Sequence, residues 1–184
     1  MSRLADLLEQ AERPVLVGGR GAFGAKAEIR ALAARAGALL TTSAVGRGLF
    51  NQDPWHLDVM GGFASPVTAE LVQGADVVVA FGASLNRWTS RSGSLLESAT
   101  VVQVDDTAEA IGFHRPVQLG VVGDSALVAA AVDAELERRA VSKTGYRTED
   151  VAVQIKGGRR WRDVPFDEIA TAETIDPRTL TIAL

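Results

Sequence analysis

Apolar residues recur along this chain in two alternating rhythms. Leu4, Leu7, Leu8 and Ala11 fall three or four apart, the spacing of one helix face, and Ser2 stands where a cap would open that helix. Pro14 begins a different pattern, a continuous run Val15-Leu16-Val17 that ends in glycines. The helical period returns from Ala25 to Ala36, with Ile29, Leu32 and Ala33 on one face and Gly37 as the stop. Further apolar runs at Ala38–Thr42, Asp76–Phe81, Thr100–Val104 and Val117–Val122 read as strands, and helices are expected at Pro66–Gln73 and Asp124–Ala140. Strands apolar at nearly every position must be covered on both faces, as parallel strands are. The pattern therefore predicts an α/β fold, a three-layer parallel sheet of five to six strands with helices on both faces.

From Val141 onward the rhythm is lost. Lys156-Gly157-Gly158-Arg159-Arg160-Trp161-Arg162 reads as an exposed linker, and Asp176-Pro177 as the N-cap and first position of a helix with no C-cap before Leu184. Residues 1–140 are thus expected to form one domain, and residues 141–184 a linker and the truncated start of a following domain.

In a sheet of this kind the ligand crevice lies beyond the carboxyl ends of the strands. The first strand feeds Gly18-Gly19-Arg20-Gly21-Ala22-Phe23-Gly24, in which Gly19, Gly21 and Gly24 match the spacing of a dinucleotide fingerprint. Such a turn suits phosphate, and it equally suits a tight strand-to-helix connection with no ligand. The second strand ends in Thr41-Thr42-Ser43, with no acid where an NAD site needs one for the ribose, so the chain does not read as an ordinary dehydrogenase. Later strand ends carry Gly82-Ala83-Ser84, Asp105-Asp106 and Gly123-Asp124. Asp105 and Asp106 suit a ribose or a turn cap, Asp124 suits a helix N-cap, and Arg91 suits a phosphate or a surface ion pair.

Composition narrows the function classes. The chain has 184 residues and a formal net charge of −4, which gives no footprint for nucleic acid. It has no cysteine, so disulfides and thiolate chemistry are excluded. His56 and His114 lie far apart in different loops, read as surface residues, and make no zinc spacing. No serine stands in a nucleophile elbow, so no catalytic or metal residue is assigned. No apolar run suits a membrane span or signal peptide, and a cytoplasmic location is expected.

The loops taken in order resemble the central domain of thiamine diphosphate-dependent enzymes, in the acetolactate synthase-like branch, over about Leu4 to Ala140. The residues carrying the resemblance are Pro14 to Gly21, the G-x-G-L-F turn Gly46 to Phe50, Pro54 to Gly62, Ala75 to Arg91, Val102 to Asp105, and Gly123-Asp124. The resemblance implies a Rossmann-like, NAD/FAD-binding-like sheet set between pyrimidine- and diphosphate-binding domains of one polypeptide, which forms homo-oligomers. It implies thiamine diphosphate and magnesium in the full-length enzyme, and FAD or ADP in this domain. By position, that nucleotide would contact Gly18, Gly19, Gly21, Met60, Gly61, Gly62, Gly82, Ala83, Asn86, Arg91, Asp105 and Asp124. Where the flavin-binding branch carries a charged Arg-Phe-Asp-Asp-Arg-like loop, this chain has Leu85-Asn86-Arg87-Trp88-Thr89-Ser90-Arg91.

The family's magnesium motif, G-D-G with a downstream asparagine, is missing. The sole Gly-Asp is followed by Ser125, and the two asparagines, Asn51 and Asn86, lie upstream. The expected function is a structural or nucleotide-binding central domain of a carboligase or 2-oxo acid decarboxylase, inactive alone. The other readings are a free-standing NAD- or nucleotide-dependent enzyme of related fold, and a binding module with an empty crevice.

Overall fold

A computed structural model describes residues 1–184, apart from the side chain of Asp163. Six parallel strands form one sheet in the order β3-β2-β1-β4-β5-β6, with β1 Pro14–Gly18, β2 Leu39–Thr42, β3 His56–Val59, β4 Val77–Phe81, β5 Thr100–Asp105 and β6 Leu119–Val122. The order reverses between β1 and β4, so the loops leaving these two neighbours diverge and open a crevice.

Alternate residues of the central strands supply the two cores. Leu16, Leu40, Val79, Phe81, Val102 and Val104 pack under α1 (Ser2–Gln10), α2 (Lys26–Ala36) and α4 (Ser125–Arg138). Val15, Val17, Leu39, Val78, Ala80 and Val101 pack under α3 (Pro66–Gln73) and α5 (Glu149–Gly158). Helix caps follow local chemistry. The Ser65 hydroxyl accepts from the Thr68 N–H, and Asp124 Oδ1 accepts from the Ala126 and Leu127 N–H groups, each at 2.9 Å for Asp124. Ser2 does not cap α1; Met1 holds that position and the Ser2 hydroxyl instead accepts from Arg139.

Two segments differ from expectation. His56–Val59, read as loop, is the edge strand β3 and pairs with β2 through a register shift. Residues 156–158, read as linker, are the end of α5, whose Val151 and Ile155 are buried against α3 and the second core. The chain reaches α5 by strapping back across the fold. Lys143 Nζ donates to the Glu9 and Ala11 carbonyls at the end of α1, and the Tyr146 N–H donates to the Gly37 carbonyl. The Tyr146 hydroxyl donates to the Leu71 carbonyl at 2.9 Å, and Arg147 stacks 5.7 Å over Trp55. Beyond α5, α6 spans Pro177–Ala183, with Asp176 accepting from the Arg178 N–H as its cap. No helix among the described residues is long and apolar enough to cross a membrane.

His56 is not a surface residue; it is 3% exposed. Burial, joined by the Arg159 charge and opposed by Asp58 and Asp53, lowers its pKa to about 4. Between that value and the unfolded one, the unfolded chain binds the proton and the folded chain does not, so stability falls as pH drops through this window. Each unit of pKa difference is worth about 1.4 kcal/mol, so the loss attributable to His56 approaches about 3 kcal/mol near pH 4. Urea melts of the parent and of His56→Phe at neutral pH and near pH 4.5 check this, and the pH-dependent loss is expected to shrink by about 2 kcal/mol in the variant.

Candidate functional site

The crevice at the carboxyl edge has a volume of about 790 Å³. Arg20 and Gly21 reach it from β1, Ser43 to Val45 from β2, Gly82 to Ser84 with Asn86 from β4, Asp105 to Thr107 from β5, and Asp124 with Ser125 from β6. Of the positions expected to bind a nucleotide, Gly21, Gly82, Ala83, Asn86, Asp105 and Asp124 meet here. Gly18, Gly19, Met60, Gly61, Gly62 and Arg91 do not line it.

The absent six have other positions. Gly18 is buried, and a Cβ on it would lie 2.6 Å from the Leu49 side chain. Met60 is buried in the second core. Gly61, at φ +89°, lies against the backbone of Trp88 and Thr89, and the Gly62 N–H donates to the Trp88 carbonyl at 2.9 Å. Arg91 donates to the Gly61 carbonyl at 3.3 Å, so these residues clasp the loop after β3 to the loop after β4.

The glycine turn is engaged in the same way. The Gly19 N–H donates to the Phe81 carbonyl at 2.9 Å and the Gly21 N–H to the Gly82 carbonyl at 3.1 Å. Its glycines thus bring the β1 and β4 loops into backbone contact, and these two donors are not available to an anion.

What faces the crevice is acidic and hydroxylic. Asp105, Asp106 and Asp124 oppose one arginine, Arg20, and Ser43, Ser84, Thr89, Thr107 and Ser125 add hydroxyls. Burial pushes the Asp105 carboxyl up, against the pull of the Thr107 N–H, and the Asp106 charge adds to the rise. The Ser43 hydroxyl is buried without a hydrogen-bond partner among the described residues. Asn86 Oδ1 accepts from the Trp88 and Thr89 N–H groups, fixing the β4 loop, while Leu85 before it takes φ +47°. Carboxylates and hydroxyls can hold the hydroxyl groups of a sugar. The lining has no histidine, lysine or tyrosine to activate a nucleophile.

Sequence reasoning missed two contributors. Gln103, 1% exposed, donates to the Ala83 and Ala110 carbonyls and accepts from the Gly112 N–H, tying the floor of the crevice together. Its signal was a lone amide inside an otherwise apolar strand. Arg20 was visible only as a residue between glycines.

Comparison with known proteins agrees with this architecture. The family described as thiamine pyrophosphate enzyme, central domain, matches residues 1–132. A sulfoacetaldehyde acetyltransferase of Roseovarius nubinhibens is 33% identical over 143 residues, covering 74% of this chain and 24% of that protein. An acetolactate synthase large subunit of Parasynechococcus marenigrum is 33% identical over 151 residues, covering 79% and 24%. A probable chloroplastic acetolactate synthase 2 of Oryza sativa is 28% identical over 174 residues, covering 94% and 26%. The chain spans about a quarter of the length of the curated relatives it matches. With its six-stranded parallel sheet and this match along most of its length, the chain belongs to the central-domain family of thiamine pyrophosphate-dependent enzymes.

Proposed function

We propose that the chain is the non-catalytic central domain of an acetolactate synthase-like carboligase or 2-oxo acid decarboxylase, a cytoplasmic homo-oligomer when whole. It links pyrimidine- and diphosphate-binding domains of the same polypeptide. The observation that carries this reading is the row of exposed apolar side chains on the loop edge. Phe23, Val45, Phe63 and Trp88, each after a different strand, are 53%, 69%, 61% and 72% exposed. Large exposed apolar side chains grouped along one edge mark a surface for another protein layer.

Thiamine diphosphate with magnesium does not fit the residues present. A hard cation needs several oxygen ligands. Among the described residues no three His, Cys, Asp or Glu side chains are grouped to hold a metal, and Asp124 is engaged in capping α4. That cofactor and its ion belong, on this reading, to the flanking domains. A free-standing NAD-dependent enzyme is not favoured, because β2 ends in Thr42 and is followed by Ser43, without the acid such a cofactor needs.

The crevice fits the adenosine end of ADP or FAD. Asp105 and Asp106 would meet the ribose, and Arg20, rather than the glycine turn, would meet phosphate. ADP at a hundred times its Kd is expected to raise stability by about 2.7 kcal/mol, with Arg20→Ala losing most of the effect. Thermal-shift titrations with ADP, FAD, NAD and coenzyme A separately test this. An unchanged melting temperature with both ADP and FAD would overturn the nucleotide part of the reading.

A further inference from the structure

A second concavity, of about 960 Å³, lies between the loops flanking β3 and the segment that follows α5. Its lining is opposite in sign to the crevice. Arg47, Arg159, Arg160, Arg162 and Arg178 face it, with Asp58 the one acid among the described lining residues. Some of this charge is balanced. Arg178 pairs with buried Asp176 at 2.6 Å, and Arg47 lies 3.8 Å from Asp58. The rest is not. Arg159 donates to the Asp53 and His56 carbonyls, neutral acceptors that leave its charge intact, at 3.4 and 3.1 Å. Arg160 and Arg162 make no ion pair or hydrogen bond among the described residues.

Two further features point to a ligand. His56 lines the groove, is almost wholly buried, and its Nε2 has no hydrogen-bond partner among the described residues. A buried polar atom left unpaired is costly, so a polar partner supplied from the groove would relieve it. Trp161 stands at the groove with its Nε1 donating to the Phe63 carbonyl at 2.8 Å, so its ring is held at one edge while 56% of the residue stays exposed.

We infer that this groove binds a polyphosphate anion, either free or as the phosphate chain of a nucleotide, held by Arg159, Arg160 and Arg162, with His56 in its lining. Several guanidinium groups along a groove of this size match a chain of phosphates, each able to accept paired hydrogen bonds, better than a single small anion. Trp161 offers the stacking surface that a nucleotide base would use. The site is separate from the carboxyl-edge crevice and does not depend on the assignment made for it.

Calorimetric titration of the 184-residue protein with tripolyphosphate and with ATP tests the inference. Both should bind, and both should weaken as salt is raised. Arg160→Glu/Arg162→Glu should weaken tripolyphosphate at least about tenfold, whereas Arg3→Glu, at an exposed position on α1 that lines neither concavity, should change it less than about twofold. Both arginines are exposed, so the double variant should melt as the parent does; Arg160→Gln/Arg162→Gln, which adds no negative charge, should give a smaller loss in the same direction. If Trp161→Ala weakens ATP and leaves tripolyphosphate unchanged, the ligand is a nucleotide; if both are unchanged, it is the free polyphosphate. Absence of binding at millimolar tripolyphosphate, or equal binding by the parent and both double variants, overturns the inference.

Discussion

Gly19→Ala is expected to destabilise the fold by about 4 kcal/mol, an effect at the top of the range for single substitutions. A Cβ at this position would overlap the Gly82 carbonyl oxygen and lie 2.6 Å from Ala83 Cα. Those neighbours are backbone, so no side chain can swing away. Relief requires the β1 and β4 loops to separate, which breaks the buried Gly19-to-Phe81 hydrogen bond and, beside it, the Gly21-to-Gly82 hydrogen bond. Gly24→Ala is the control. A Cβ there meets nothing within 4 Å, so its effect should stay within about 0.5 kcal/mol. Urea denaturation of both variants checks the pair, and a Gly19→Ala protein as stable as the parent would show that the turn is open rather than clamped.

Tyr146→Ala should cost about 4 kcal/mol, the scale of deleting a buried aromatic ring. Tyr146 is 8% exposed, packs in the core under α3, and its hydroxyl satisfies the Leu71 carbonyl. Tyr146→Phe, which keeps the ring and removes that donor, should cost about 1 kcal/mol. The same reasoning applies to the chain end. A protein stopped at residue 140 would lose Tyr146, Val151 and Ile155 together, and should melt well below the 184-residue form or fail to fold. Equal stability of the two would mean that the strap from Lys143 to Gly158 does not contribute to the fold.

The central strands were legible because Val15–Val17 and Val77–Phe81 are continuous apolar runs and Val101–Val104 is interrupted by Gln103 alone, a pattern that a doubly covered sheet accommodates. The edge strand His56–Val59 was not. It is four residues long, alternates polar with apolar, and contains Asp58 at φ +63°, so it carries neither a helical nor a buried-strand signature. Helix α5 was hidden by its own ending. Gly157-Gly158 suggests a linker, yet Gly158 is buried, and a Cβ on it would lie 2.5 Å from Val67 of α3.

The crevice was legible as a place and less so as chemistry. Strand ends bearing glycines, hydroxyls and acids locate it, since topology puts them on one edge. Whether the glycine turn cradles an anion or clamps a second loop depends on Gly82, more than sixty residues away, and spacing within the turn cannot reveal that contact. Burial of His56 was unreadable for the same reason. The groups covering it come from Phe50, whose ring meets it edge-on at 6.0 Å, and from Arg159 far along the chain.

The most direct measurement is an activity assay of the purified 184-residue protein supplied with pyruvate, thiamine diphosphate and Mg²⁺. A central domain with Asp124 engaged as a cap and no activated nucleophile at its crevice should release no CO₂ and form no acetolactate above the protein-free rate. Turnover proportional to protein concentration would contradict the assignment of a non-catalytic scaffold.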